Sequence, residues 1–264
     1  MQINKLRNII DFNKKHQKEI EELVSFIGID NDINTNIIDI RNVLRELCEK
    51  QNIEIFEIPI QDKELGAVFF VQDQIKYILL NSSVPKVNLN FAIAHELYHI
   101  YVKDSASNYD VGDVFVIDEY QDNENEMLAN AFAAELLMPR TQINYIYNFF
   151  AKDNQAFETI VKLMNYFSTP YISVLIRLLE IGKLKDHALA ELLNKSENNI
   201  MEAAKENGLD EDLLRPSRRD DSKMIIQKLK DNGNELIEKG LLSHVQLKRT
   251  IDKVEKLLIK LRDN

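Results

Sequence analysis

The sequence predicts an α+β fold, in which helices back a small antiparallel β-sheet and an all-helical segment follows. Three observations support this fold class. Glycine and proline are scarce, at 7 and 5 of 264 residues, which favours helices over tight turns. Most of the chain spaces its apolar residues by three and four, as helices do, whereas residues 53–80 alternate with a period near two. The hydrophobic content of 45% is sufficient for a sizeable core.

The first third of the chain contains two predicted helices and three predicted strands. A helix over residues 1–28 ends at Gly28, and a second helix covers residues 37–47. β-branched and aromatic residues dominate the strands, of which the last two form a predicted hairpin. The strands cover residues 53–58, 66–71 and 75–80.

The middle of the chain is mostly helical. Proline marks several of the boundaries, because it disfavours helical geometry in the residue before it and suits the first turn of a helix. In order, the predicted elements are a helix between Pro85 and Gly112, a short strand at 114–117, a helix over 126–138 ended by Pro139, one or two helices over 141–167, and a helix from about Pro170 to Gly182.

The charge distribution argues against nucleic-acid binding. The net charge is −10, and the entire acidic excess lies within residues 1–183. No lysine or arginine occurs between Asp104 and Pro139. Nucleic-acid binding requires a basic face, so the helices around Ser168–Pro170 are interpreted as packed helices rather than a DNA-reading pair. No signal peptide or membrane-spanning apolar run is evident, which predicts a soluble, cytoplasmic protein with no membrane partner.

A polar motif interrupts the most apolar predicted helix. His95, Glu96 and His99 form the pattern His-Glu-x-x-His, with apolar residues on both sides. Residues four apart share a helix face, so the two imidazoles can bind one metal ion with Glu96 beside them as a general base. Three ionisable groups would be costly to bury there without a ligand or partner. The motif therefore predicts a metal site.

The remaining histidines are not convincing ligands. A catalytic zinc site usually has three protein ligands and a water molecule. His16, His187 and His244 lie in charged or C-terminal segments and are interpreted as surface residues. The single cysteine, Cys48, excludes an internal disulfide and a cysteine-based zinc site. A carboxylate is therefore the better third ligand.

Three carboxylates near the next helix are candidates: Glu124, Glu126 and Glu135. Glu126 has a useful companion, since Asn130 lies one turn further on the same face and can hydrogen-bond the outer nitrogen of a ligating histidine. Small residues at positions 129 and 133 would let this helix approach closely. The alternative is that Glu126 is a solvated first-turn carboxylate favoured by the helix dipole.

The chain contains three sequence motifs whose residues and relative order resemble those of the ImmA/IrrE family of metallopeptidases, a gluzincin-like group with the HExxH motif. The resemblance covers roughly residues 37 to 184. It implies that His95, His99 and Glu126 bind Zn²⁺ and that Glu96 is the general base. It also implies a protein substrate, typically a basic helix-turn-helix repressor of a mobile element or stress response. The motifs are residues 78–82, residues 91–99 and residues 126–139.

Two domains follow from this interpretation. A metallopeptidase domain is predicted over residues 1–184, with N-terminal helices to residue 50, the sheet and active-site helices over 51–139, and a helical pair over 140–184. A separable helical module is predicted over residues 185–264, with a linker at 215–219. Its last helix carries a seam of apolar residues that either packs within the chain or mediates self-association. The seam consists of Leu247, Ile251, Val254, Leu258 and Leu261.

The predicted activity is zinc-dependent peptide-bond hydrolysis, with Glu96 transferring the proton of the attacking water. An additional oxyanion donor is expected, and four tyrosines are candidates. A binding module that sequesters a regulator without cleaving it is the main alternative, and a hydrolase of non-peptide amides is a third. The acidic segment 104–124 either attracts a basic substrate or is a solvated loop. The tyrosines are Tyr98, Tyr101, Tyr109 and Tyr120.

Overall fold

The computed structural model confirms the α+β class, with a four-stranded sheet and helices on both sides. It describes residues 3–30, 39–72, 75–103, 114–116, 124–184 and 186–263. Within these residues, none of the helices combines the length and apolar character that crossing a bilayer requires.

The N-terminal region forms two helices rather than the single helix that was predicted. Helix α1 spans Ile3–Lys15 and helix α2 spans Gln17–Asp30, so the chain also continues helically through Gly28. The break falls at His16, where helix-type hydrogen bonds still connect Phe12 to His16 and His16 to Ile20. Neither glycine nor proline marks this break, which explains why the sequence pattern did not reveal it. Helix α3, Ile40–Gln51, is capped by the Asp39 carboxylate.

The sheet contains strands β1 (Ile53–Ile58), β2 (Leu65–Gln72), β3 (Ile75–Asn81) and β4 (Val114–Val116) in the order β1-β3-β2-β4. The predicted β2–β3 hairpin is confirmed, but β1 runs parallel to β3. The prediction of an antiparallel sheet is therefore wrong for this pair. Alternating hydrophobicity specifies which residues face the core, and it carries no information on the direction of the neighbouring strand.

The helices between the sheet and Gly182 follow the predicted boundaries closely. Pro139 separates α5 from α6, and Gly182 adopts a positive φ of 70° just after α8. The bounds are α4 Lys86–Lys103, α5 Glu124–Leu137, α6 Arg140–Phe150, α7 Ala156–Phe167, α8 Tyr171–Glu180, α9 Asp186–Leu193, α10 Glu197–Glu206, α11 Ser222–Glu238 and α12 His244–Asp263, with a short 3₁₀ turn at Glu211–Leu214.

Helix α4 lies at the centre of the molecule. It packs against α3, α5 and strand β2, and its apolar residues up to Ile100 are almost completely buried, whereas Tyr101 and Val102 are partly buried. The two faces of β3 divide the core: Ile78 and Leu80 belong to the large cluster that includes α4, whereas Leu79 faces a smaller cluster around Leu258 of α12. The sheet therefore separates the α4 layer from the C-terminal helices.

The segment predicted as a linker makes specific contacts with the sheet. The Asp221 N–H donates to the Glu57 carbonyl at 2.8 Å, and the Arg218 N–H donates to the Ser82 carbonyl at 3.1 Å. Pro216 also forms an isolated β-bridge with Pro85. Residues 215–221 are therefore held against one end of the sheet. The predicted domain boundary at residue 184 stays a prediction.

The apolar seam of α12 is used within the chain. Leu247 lies against Gly233 of α11, so closely that a Cβ on Gly233 would be 2.2 Å from a Leu247 methyl group. Leu258 packs with Ile58 and Ile60 beside the sheet. A capping box precedes α12, since the Ser243 N–H donates to the Gln246 side chain and the Gln246 N–H donates to the Ser243 hydroxyl. Self-association through α12 stays a prediction.

Candidate metal centre

Helix α4 positions the two histidines of the motif. His95, Glu96 and His99 are each no more than 2% exposed, in a helix whose other residues fill the core. The Nε2 atoms of His95 and His99 lie 3.0 Å apart, as expected for side chains one turn apart on the same face. The sequence thus places two imidazole nitrogens at one point in an apolar environment.

Helix α5 brings a carboxylate to the same point. The Glu126 oxygens lie 3.1 Å from His95 Nε2 and 3.4 Å from His99 Nε2. Ala129 and Ala133 of α5 are completely buried, and their small side chains permit the close packing of α5 on α4. The three side chains His95, His99 and Glu126 converge, as the sequence predicted.

The distances between these ligand atoms suit a small divalent cation. A tetrahedral ion with bonds of about 2.0–2.1 Å separates its ligand atoms by about 3.3 Å. The three separations in this site, 3.0, 3.1 and 3.4 Å, are close to that value. Two imidazoles and a carboxylate form a donor set typical of transition-metal and zinc sites. The residues present therefore fit a bound metal.

Electrostatics favour the protonation states that bind a cation. Burial lowers the pKa of His95, and the neighbouring His99 acts in the same direction, while Glu126 opposes them. Burial tends to raise the pKa of the Glu126 carboxyl, but hydrogen bonds with His95 and His99 outweigh it and hold this pKa far below its usual value. His95 is therefore neutral and Glu126 ionised near pH 7.

Asn130 orients the first histidine. Its Oδ1 lies 3.1 Å from His95 Nδ1, so the imidazole donates this proton to the amide oxygen and leaves Nε2 for the metal. Asn130 lies one turn after Glu126 on α5, which is the arrangement predicted from the sequence. For His99, no hydrogen-bond partner of Nδ1 is found among the residues that the structure describes.

The other candidate ligands lie elsewhere. Glu124 is 67% exposed, and one of its oxygens is 3.8 Å from His16 Nε2. Glu135 instead pairs with Arg177 at 3.1 Å and with Arg140 at 3.7 Å. Neither carboxylate belongs to the cluster of His95, His99 and Glu126.

The predictions for the remaining histidines are partly correct. His244 is exposed, whereas the side chain of His187 lies outside the described residues. The prediction that His16 is a surface residue is wrong, since its side chain is only 13% exposed. It stacks on Phe12, and its Nδ1 lies 3.1 Å from Glu19. Phe12 is four residues before His16 on the same helix face, and this spacing could have indicated the contact.

Tyr98 packs against the side chain of His99 and against helix α5. Its ring meets His99 edge-on with a centroid separation of 5.5 Å and also packs against Phe132 of α5. Burial, followed by the charges of Glu19, Glu126 and Glu124, raises the pKa of Tyr98 to about 12, so the phenol is protonated. Tyr101 is partly buried on the next turn. Tyr109, Tyr120 and the acidic segment 104–123, apart from the backbone of β4, lie outside the described residues.

Comparison with known proteins places the metal centre within a family of known description. Residues 48–179 match the Peptidase M78 family, described as the IrrE N-terminal-like domain. The matched region is half of the chain and includes the sheet, α4 and α5, and thus every residue of the metal centre. No curated protein matches the chain.

Proposed function

The chain belongs to the IrrE N-terminal-like family of metallopeptidases, and from this premise we propose that it is a zinc-dependent endopeptidase that acts on a protein substrate in the cytoplasm. The observation that carries the proposal is the convergence of His95, His99 and Glu126 within hydrogen-bonding distance of one another, with Glu96 on the same helix. A metal used only for structure would not need an additional carboxylate in the motif.

His95, His99 and Glu126 would hold the zinc, and Asn130 would keep the His95 ring oriented. A zinc ion held there would supply Lewis acidity, which makes water more acidic and polarises a carbonyl group. Glu96 accepts the proton of the attacking water and then donates it to the leaving amide nitrogen. The almost complete burial of Glu96 removes competing bulk water from this transfer.

The substrate that we propose is a basic helix-turn-helix repressor. The acidic excess of residues 1–183 favours a positively charged partner over nucleic acid, because like charges repel and opposite charges accelerate association. Strand β4 lies at an edge of the sheet and contacts α4. An extended substrate segment could add to such an edge through backbone hydrogen bonds, which tolerate many side chains.

The second candidate function is sequestration of a regulator without cleavage. The extensive helical surface outside the metal centre, including α9 to α12, would suit protein binding. In that case the metal would stabilise the fold, and Glu96 would have no chemical role.

A substitution of Glu96 distinguishes cleavage from sequestration, because only cleavage requires a general base. Protein purified without added metal should contain one zinc per chain by elemental analysis, and His99→Ala should lose it. A helix-turn-helix repressor encoded by a neighbouring gene would be the first substrate to test, and co-expression with such a repressor should yield cleavage. Glu96→Gln should keep zinc and fold but lose cleavage by several orders of magnitude, since the proton transfer lacks its base.

Glu206→Gln, an exposed carboxylate on α10, is the control and should cleave normally. Loss of zinc in Glu96→Gln would reassign Glu96 as a ligand. Stable binding of the repressor with no cleavage by the parent protein would favour sequestration. Metal retained after both histidines are changed would show that the centre is elsewhere.

A further inference from the structure

A cavity lies between α3, strands β1 and β3, helix α4 and the segment around Asp221. Its volume is about 190 Å³, and none of the metal-centre residues lines it. Pockets for drug-sized ligands begin at about 300 Å³. The cavity therefore suits a ligand with only a few heavy atoms.

The cavity has an apolar floor and a charged wall. Leu44, Leu80 and Ile93 form part of the floor. The wall contains three arginines and two carboxylates, which leaves one excess positive charge. These charged residues are Arg41, Arg45, Arg219, Glu57 and Asp221.

Both carboxylates already have partners within the protein. Asp221 accepts hydrogen bonds from Arg219 Nε at 2.9 Å and from the Glu57 N–H at 2.9 Å. The Glu57 carboxylate accepts from the Ser217 hydroxyl and lies 4.0 Å from Arg41 Nη1. These contacts compensate the negative charges and fix one arginine, Arg219, at the edge of the cavity.

The two arginines of α3 are less completely paired. Arg41 donates through Nε to Asn90 at 3.2 Å, but its Nη2 is buried and has no hydrogen-bond partner among the described residues. Arg45 makes a long contact of 3.5 Å with Asn42 and is otherwise exposed to solvent. Because Arg41 and Arg45 are four residues apart, their like charges share one helix face, which is unfavourable without an anion between them.

We propose that this cavity binds a small anion through a phosphate or carboxylate group, which Arg41 and Arg45 hold with Arg219 at the rim. The planar guanidinium fork matches the oxygens of both groups and cannot lose its charge near neutral pH. An anion would satisfy the buried Nη2 of Arg41 and relieve the repulsion within α3. It would also bridge α3 to the C-terminal segment at Arg219.

The site is independent of the proposed peptidase chemistry, but it is connected to the fold around it. Ile93 on its floor precedes His95 by two residues in α4, and Asp221 belongs to the segment that is held against the sheet. A ligand that binds only the folded state stabilises it by mass action. The anion would therefore strengthen the attachment of residues 215–221 to the α3–α4 layer.

The test is isothermal titration calorimetry of the full zinc-loaded chain with inorganic phosphate and, separately, with malonate, at constant ionic strength. We expect saturable binding of at least one anion, and the tighter of the two identifies the preferred head group. Arg45→Gln and Arg41→Gln should each weaken that binding by about tenfold or more, since each removes a charged hydrogen-bonding partner. The same anion should raise the Tm of the parent more than that of the variants.

Arg215→Gln is the matched control, because Arg215 lies in the same segment as Arg219 but does not line the cavity. It should bind like the parent. Arg45 is exposed, so its variant decides the outcome if Arg41→Gln does not fold. Absence of binding tighter than about 1 mM for both anions would overturn the proposal. Equal affinity in the parent and the Arg45 variant would also overturn it, because the anion would then bind elsewhere.

Discussion

Replacing Asn130 with alanine tests how strongly helix α5, through its contact with His95, affects the affinity of the metal centre for zinc. Its Oδ1 accepts from His95 Nδ1 at 3.1 Å in a site where His95 is 1% exposed. The alanine variant would leave a buried imidazole N–H without its acceptor and would free the ring to rotate. Loss of such a partner weakens metal binding by about 10–100-fold, equivalent to about 1.4–2.7 kcal/mol. We expect zinc affinity to fall within this range while the fold is preserved.

Competition with a chromophoric zinc chelator would measure this change directly. Asn130→Asp provides the discriminating comparison, since aspartate keeps an acceptor at the same position and should retain zinc affinity close to the parent. Asn165→Ala, which removes an exposed amide that donates to the Asp210 carbonyl, is the control for a simple loss of asparagine. If Asn130→Ala bound zinc as tightly as the parent, the orienting role of this contact would be refuted.

Three further predictions concern other parts of the chain. Leu258→Ala should destabilise the protein by about 2 kcal/mol and lower Tm by about 4–8 °C in calorimetry, because Leu258 is only 8% exposed where it packs against the sheet. Leu257→Ala, at a 54% exposed position, is the control and should change Tm little. Equal effects of the two substitutions would contradict the packing of α12. Burial raises the pKa of the Cys48 thiol to about 12, so the native protein should not react with a thiol reagent at pH 8. The free energy of unfolding should fall as pH rises above about 8.5, because the thiol ionises there only in the unfolded chain. Rapid labelling of the native state would disprove this. Neutralising three acidic residues of the segment before α5 should raise KM for a basic substrate at low salt with little change in kcat. The difference in KM between parent and variant should vanish at high salt, because salt screens the attraction. Identical KM values at low salt would indicate that the segment is a solvated loop. These residues are Asp118, Glu119 and Asp122.

Local patterns predicted which side chains of the candidate metal centre share a helix face. The i, i+4 spacing placed His95 and His99 on one face, and the same spacing placed Glu126 and Asn130 on one face of α5. Both relationships are internal to a single helix, so they can be read from the sequence. The contact between the two helices was inferred from the buried small residues of α5 and from the family resemblance.

Apart from the local helix break at His16, the main features that were not predicted depend on contacts between distant parts of the chain. The parallel direction of β1 is set by the path of the chain between strands, and Glu135 is held by Arg177, which lies more than two helices further on. Residues 215–221 have the composition of a linker, yet their hydrogen bonds to Glu57 and Ser82 fix them in place. Composition indicates where regular structure ends, but it does not show what an irregular segment contacts.

The placement of α12 has a consequence for synthesis of the protein. Ile58 and Ile60 at the sheet are covered by Leu258, about 200 residues later, so at about 5–20 residues per second this apolar surface stays uncovered for about 10–40 s after it leaves the ribosome. Long-range contacts of this kind also slow folding, because the chain must close a large loop before they form. A nascent chain that stalls before residue 258 would carry a complete metal centre with one side of its sheet exposed, which makes it a natural substrate for chaperones and for quality-control proteases.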